Sequence, residues 1–274
     1  MAEQAMTALI TGATGGLGYE LTRRFAKAGY DLVLVGRSEE KLAGTVEKLE
    51  AEFPVHVQTV IADLSEKDAS RRIVEEVETR GIQVDALVND AGFGYNAPFV
   101  KSDPERQQNL IQVNVAVLTE LCRAFAPGMV ERGYGKILNV ASMAGFMAGP
   151  FLSTYYASKA YVQTFTQALH AELRLSGVHV TALCPGPVRT PFWNNADAGK
   201  TALAHLTARP QSVSRAAWRA LSVNKTLCIP GVVPKLLVFL TRLVPRSWMA
   251  YCSALLQWPR KKKGGKGEER GSGK

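Results

Sequence analysis

The chain has little of what builds disulfide-stapled or metal-centred proteins. Its 274 residues include four cysteines, Cys122, Cys184, Cys228 and Cys252, far apart and with no C-x-x-C pair. The four histidines, His56, His170, His179 and His205, do not gather around them. This spacing speaks against a disulfide framework and a zinc site, so no metal is expected, and free thiols in a reducing compartment, the cytoplasm, are expected instead. No stretch of 18 uninterrupted apolar residues occurs, so a conventional membrane span is not expected. Met1-Ala2-Glu3-Gln4 carries no positive charge and the apolar run after it ends at Ile10, which is unlike a cleaved secretory signal. No G-x-S-x-G element precedes the terminal tail, which removes a hydrolase elbow. Gly199-Lys200-Thr201 resembles the end of a phosphate loop, but position 194 is Asn where that loop needs glycine.

What is present is ordinary globular material. Hydrophobic residues make up 46% and charged residues 21%, enough apolar surface for a sizeable core and too much for a disordered chain. The formal charge of +9 suggests nucleic acid at first. Its distribution does not: residues 260–274 hold seven basic and two acidic residues, and the rest is only mildly basic with no basic stripe interleaved with aromatics. No nucleic-acid partner is expected.

Short β-branched runs alternate with longer amphipathic stretches. Strands are predicted at 7–10, 31–35, 55–61, 84–88, 136–140, 178–183 and 226–229, most of them continuous apolar runs of the kind buried on both faces of a parallel sheet. Helices are predicted between them, at 17–28, 39–52, 69–79, 105–125 and 155–175. This alternation implies an α/β fold, a doubly wound parallel sheet of Rossmann type with seven strands and a C-terminal helical extension. With no linker before residue 259, one domain over 1–258 is expected. Residues 190–211 read as a lid-like loop with a short helix. Helices follow at about 234–244 and 247–258, and 259–274 reads as a basic disordered tail.

The first strand runs into Thr11-Gly12-Ala13-Thr14-Gly15-Gly16-Leu17-Gly18, which opens a helix. Glycines there allow a tight turn and a close approach of pyrophosphate to the main chain, and the helix N-terminus offers free N–H groups and positive dipole. An acidic residue at the end of the second strand would bind the ribose hydroxyl of NAD; here the strand ends Val35-Gly36-Arg37, and Arg37 suits a 2′-phosphate. NADP (NADPH) is the expected cofactor, with NAD the alternative.

The wider spacing T-G-x-x-x-G-x-G resembles the classical short-chain dehydrogenase/reductase family, and the resemblance continues along residues 7–230. Asn89-Asp90-Ala91-Gly92 matches N-N-A-G except at Asp90. Asn114, Ser142, Tyr155-x-x-x-Lys159, Pro185-Gly186 and Thr190 follow in the family's order. The resemblance implies a catalytic set of Asn114, Ser142, Tyr155 and Lys159. Tyr155 would donate a proton to a substrate carbonyl and Ser142 would hold the same oxygen. Lys159 would hold the nicotinamide ribose, and Asn114 would position a water linking Lys159 to solvent. On a helix, Tyr155 and Lys159 share one face, and a neighbouring ammonium is expected to draw the phenol's pKa down. Tyr156, with no lysine four residues on, is expected to point elsewhere. Cofactor contacts are implied at Gly12, Thr14, Gly16, Leu17, Gly18, Arg37, Asp63, Leu64, Asn89, Ala91, Gly92, Tyr155, Lys159, Pro185, Gly186, Val188 and Thr190. Family members usually pair through the long helices after strands four and five, so a homo-oligomer is implied.

Substrate contacts are expected at Ser142, Phe146, Phe151, Tyr155, Phe192 and Trp193, an apolar set that favours bulky hydrophobic carbonyl or alcohol substrates. The stretch from Ser142 to Pro185 resembles bacterial members near the 17-beta-hydroxysteroid dehydrogenase and 3-ketoacyl reductase branches, which implies fatty-acyl, steroid-like or similar carbonyls. A non-enzymatic NADP-binding sensor or scaffold is the rival from another class, weighed against by the complete acid/base set. Leu236, Leu237, Leu240, Leu243 and Val244 fall on one helical face and Lys235, Arg242 and Arg246 on another, followed by Trp248, Trp258 and the basic tail. These are the ingredients of peripheral membrane contact; covering the sheet edge, the substrate mouth or a subunit contact are the alternatives.

Overall fold

The computed structural model describes residues 5–190 and 207–257. Seven strands form one parallel sheet: β1 Thr7–Thr11, β2 Asp31–Gly36, β3 Val57–Ile61, β4 Ala86–Asn89, β5 Gly135–Val140, β6 Val178–Leu183 and β7 Leu227–Cys228. Their order is β3-β2-β1-β4-β5-β6-β7. The direction of winding reverses between β1 and β4, where Thr11 lies beside Asn89, and the crevice beyond these strand ends is where such sheets bind ligands.

Side-chain alternation along the strands builds a core on each face. Leu9, Val33, Leu87, Ile137 and Val180 point to one side, against α3 (Ala69–Thr79), α5 (Val117–Glu131) and α6 (Ser153–Leu173). Ala8, Ile10, Leu32, Leu34, Val88 and Leu138 point to the other, against α1 (Gly16–Lys27), α2 (Glu39–Glu52) and α7 (Pro210–Ser222). Phe25 of α1 meets Tyr30 and Trp218 edge-on at 5.2 and 5.1 Å, which fastens α7 to α1.

Two regions differ from the sequence reading. The stretch expected as one regular helix is α4 (Pro104–Ile111), a π turn over Gln112–Ala116, and α5. The π turn inserts one residue into the ladder and brings Asn114 inward, where it is buried. Pro104–Glu131 is long and apolar enough to cross a membrane, and Leu110, Asn114, Leu118 and Leu121 on it are buried inside the protein. Residues 210–222, not singled out as a helix, form α7, with Pro210 at its first turn, where a missing N–H costs nothing. The expected loop therefore ends before Pro210, and most of it lies outside the described residues, as do the tail, Phe192 and Trp193. The two final helices, α8 (Val232–Leu240) and α9 (Arg246–Gln257), start and end slightly earlier than expected.

Candidate active site

The glycine turn forms a cradle at the end of β1. Gly12 has φ +74°, a left-handed backbone that favours glycine, and a Cβ there would stand 2.9 Å from the Ala91 nitrogen. At Gly18 a methyl would strike the Gly12 carbonyl and come within 2.6 Å of Asp90 Oδ2. Among the described residues no side chain caps the N-terminus of α1, and its first turn holds no acidic residue. Its amides and dipole are thus left for an anion, which fits the pyrophosphate of a dinucleotide. Thr190 closes the cradle against Gly16, while Thr14 is exposed on its rim and Leu17 is half-buried.

Neighbouring loops complete this rim. Arg37, one residue beyond β2, is exposed and, among the described residues, forms no salt bridge. Asp63 Oδ1 accepts from the Ser65 nitrogen at 2.9 Å and its hydroxyl at 2.8 Å; these bonds, assisted by Arg37, hold the carboxyl below its usual range. Leu64 is buried behind it. Beyond β4, Ala91 N–H donates to Thr11 Oγ1 at 3.2 Å, and Gly92 lies over Asn114 Oδ1 and Lys159 Nζ. Asn89 turns its amide into the core, donating to Asn139 Oδ1 at 2.9 Å, so its side chain stitches β4 to β5. After β6, the Pro185 carbonyl accepts from Met143 N–H at 2.9 Å, and Gly186 stands beside Met143 Sδ. Val188 pairs with Ala208, and Thr190 N–H returns to the Val188 carbonyl.

The four residues expected to do chemistry converge beside this cradle. Ser142 lies two residues beyond β5, and its Oγ accepts from Ala144 N–H at 3.1 Å. Tyr155 and Lys159 stand one turn apart on α6, both buried. Ser142 is near enough to the Tyr155 hydroxyl to favour its phenolate form. Lys159 Nζ donates to the Val140 carbonyl at 2.7 Å and lies 6.0 Å from the Tyr155 ring centre. Asn114 is clamped to the loop after β4: Oδ1 accepts from Phe93 N–H at 3.1 Å, and Nδ2 donates to the Phe93 carbonyl at 3.1 Å and to Ser158 Oγ at 3.0 Å. Tyr156 packs its ring on Gly149 and stands edge-on to the Tyr155 ring.

The electrostatics correct one expectation and add a residue. Burial pushes the Tyr155 phenol above its ordinary value, and Ser142 only partly offsets this. Lys159 does not draw it down, because its ammonium is turned to the Val140 carbonyl and is itself lowered to about 8 by burial. Asp90 opposes that lowering. Asp90 is half-buried by surface, but its carboxyl sits deep between Gly18 and Lys159. Burial raises it to about 7, with Lys159 pulling the other way. In sequence it reads only as a departure from N-N-A-G; its charge coupling to Lys159 requires the fold to be seen.

An apolar cluster surrounds the phenol: Leu110, Ala144, Leu152 and Tyr155, with Phe93, Tyr95 and Tyr156 against it. Phe151 precedes this cluster with φ 67°, a left-handed conformation that costs a bulky residue energy. Phe146 packs on the main core instead of this cluster.

Residues 6–201 match the family profile described as short chain dehydrogenase, and the chain belongs to that family of oxidoreductases. It is 34% identical over 218 residues to an uncharacterized oxidoreductase of Staphylococcus saprophyticus, covering 80% of this chain and 92% of that one. It is 36% identical over 183 residues to a very-long-chain 3-oxoacyl-CoA reductase of Mycosarcoma maydis, covering 66% of this chain but only 52% of the relative. A short-chain dehydrogenase from Sphingobium yanoikuyae, solved in complex with NADPH, superposes with a TM-score of 0.78 at 29% identity over 95% of this chain and 99% of that one.

Proposed function

We propose that this protein reduces a ketone to a secondary alcohol on a bulky apolar substrate, using NADPH. The observation that carries the reading is the buried Tyr155 phenol within the influence of Ser142, with Lys159 buried one turn on and an apolar wall around the phenol. The uncapped α1 N-terminus and the glycines at 12, 16 and 18 would hold the pyrophosphate, Arg37 the 2′-phosphate, and Asp63 and Leu64 the adenine side. A bound nicotinamide supplies hydride to the carbonyl carbon.

The chain's own residues handle the oxygen. A carbonyl oxygen entering between Ser142 and Tyr155 meets both hydroxyls. Ser142 donates to it as negative charge develops, and Tyr155 transfers its phenolic proton. Burial keeps that proton on the resting phenol, which is the form needed for reduction. Lys159, fixed by the Val140 carbonyl, would hold the nicotinamide ribose beside Tyr155. Asn114 holds the Phe93 loop that borders both cofactor and substrate. The NADPH complex of the Sphingobium relative supports the cofactor, and the 3-oxoacyl-CoA reductase relatives support an acyl ketone. The test is consumption of NADPH and NADH over ketones graded by size and apolarity, including a long-chain 3-oxoacyl thioester. Preference for NADPH with large apolar ketones is expected; preference for NADH, or for small polar ketones, contradicts the reading.

A further inference from the structure

Among the described residues, helices α8 and α9 carry exposed apolar side chains. Val232, Leu236, Phe239, Leu243, Trp248 and Tyr251 are each more than half exposed, and in α8 only Val238 is buried. Leu236, Phe239 and Leu243 recur at helical spacing, so they form one stripe, and Trp248 and Tyr251 are exposed on the next helix. Exposed apolar side chains gathered along one segment mark an interaction site.

These helices are fixed to the active-site rim. Pro234 stands over Gly186, where a Cβ would meet its Cγ at 2.9 Å and Met143 Sδ at 3.4 Å. Ser253 Oγ donates to the Ala148 carbonyl at 2.6 Å. The face is thereby held on the loops that follow Ser142 and β6.

Charge decides between occupants. The first 197 residues carry 18 Lys and Arg against 22 Asp and Glu. Residues 198–267 carry 13 Lys and Arg and no acidic residue. Lys235 and Arg242 of this segment are exposed beside the apolar stripe. A second copy would oppose one cationic surface to another. An anionic bilayer surface complements it, accepting Leu and Phe into the acyl boundary, Trp and Tyr at the headgroups, and Lys and Arg against the phosphates. We infer that the α8–α9 face docks on anionic membranes, independently of which substrate the site takes.

The test is sedimentation of the full chain with phosphatidylcholine vesicles with and without phosphatidylserine, alongside Leu236→Glu/Phe239→Glu. Both side chains are exposed, so the double variant keeps the fold, checked by circular dichroism and NADPH binding. Expected are binding to the anionic vesicles, weakened by salt and by omitting phosphatidylserine, and at least a tenfold loss in the double variant. Absence of binding, or equal binding by the double variant, overturns the inference. A dimer that the double variant dissociates, with vesicle binding unchanged, assigns the face to a second copy and overturns it as well.

Discussion

Replacing Arg37 with alanine isolates the choice between the two dinucleotides. The guanidinium stands just beyond β2, exposed and outside any salt bridge among the described residues, with Asp63 in its field. A charge-assisted contact to a phosphate is worth roughly 1.5–3 kcal/mol, and an exposed, salt-screened position argues for the lower half of that range, ~1.5–2 kcal/mol. At 1.4 kcal/mol per factor of ten, Arg37→Ala weakens NADPH binding about ten- to thirtyfold. NADH lacks the phosphate, so its Kd should change by less than about twofold. Nicotinamide fluorescence titrations of wild type and variant, at low and high ionic strength, measure this directly. Salt should weaken NADPH binding to wild type more than to the variant, because only wild type retains the screened contact. Equal losses for both cofactors would show that Arg37 shapes the loop and does not read the phosphate.

Other perturbations bear on separate parts of the account. Asp90→Asn tests the buried carboxyl: an ordinary Asp ionises near 3.9, whereas Asp90 holds its proton to about 7. Between these values the unfolded chain has lost the proton and the folded chain has not, so this group lowers stability as pH rises through the window. The Tm of Asp90→Asn relative to wild type should therefore increase from pH about 4.5 to about 7.5; a flat difference refutes the raised value. Gly18→Ala puts a methyl against the Gly12 carbonyl and Asp90 and should weaken NADPH binding by roughly tenfold or more, read by the same titration; unchanged binding would remove the cradle's close approach from the account. Phe25→Ala, at a side chain 1% exposed between Tyr30 and Trp218, should cost about 3–5 kcal/mol and lower Tm by roughly 10 °C in calorimetry.

Strand and helix positions are legible where the local signal is unambiguous. The range expected for β6 coincides with Val178–Leu183, and those for α2 and α3 with Glu39–Glu52 and Ala69–Thr79, because apolar runs and amphipathic periods there end at clear breakers. The glycine turn, Ser142, Tyr155 and Lys159 are readable as a spaced set, and the fold brings them to one end of the sheet. The π turn at Asn114 escapes detection because one inserted residue barely alters a helical period over so long a stretch. Helix α7 is hidden because Pro210 reads as a breaker although it starts the helix. The raised Tyr155 phenol and the Asp90–Lys159 coupling depend on burial, which sequence spacing does not carry. An adjacent lysine suggests the opposite shift for the phenol, but burial outweighs it while the ammonium is turned to the Val140 carbonyl.

The reduction chemistry rests on the Tyr155 proton, and turnover of Tyr155→Phe beside Tyr156→Phe tests it most directly. With NADPH and a large apolar ketone, Tyr155→Phe should lose roughly a hundred- to ten-thousandfold in kcat, the usual worth of general acid catalysis, while its NADPH Kd stays near that of wild type. Tyr156→Phe, whose ring packs on Gly149, should turn over close to wild type. An active Tyr155→Phe, or a collapse confined to Tyr156→Phe, contradicts the assignment.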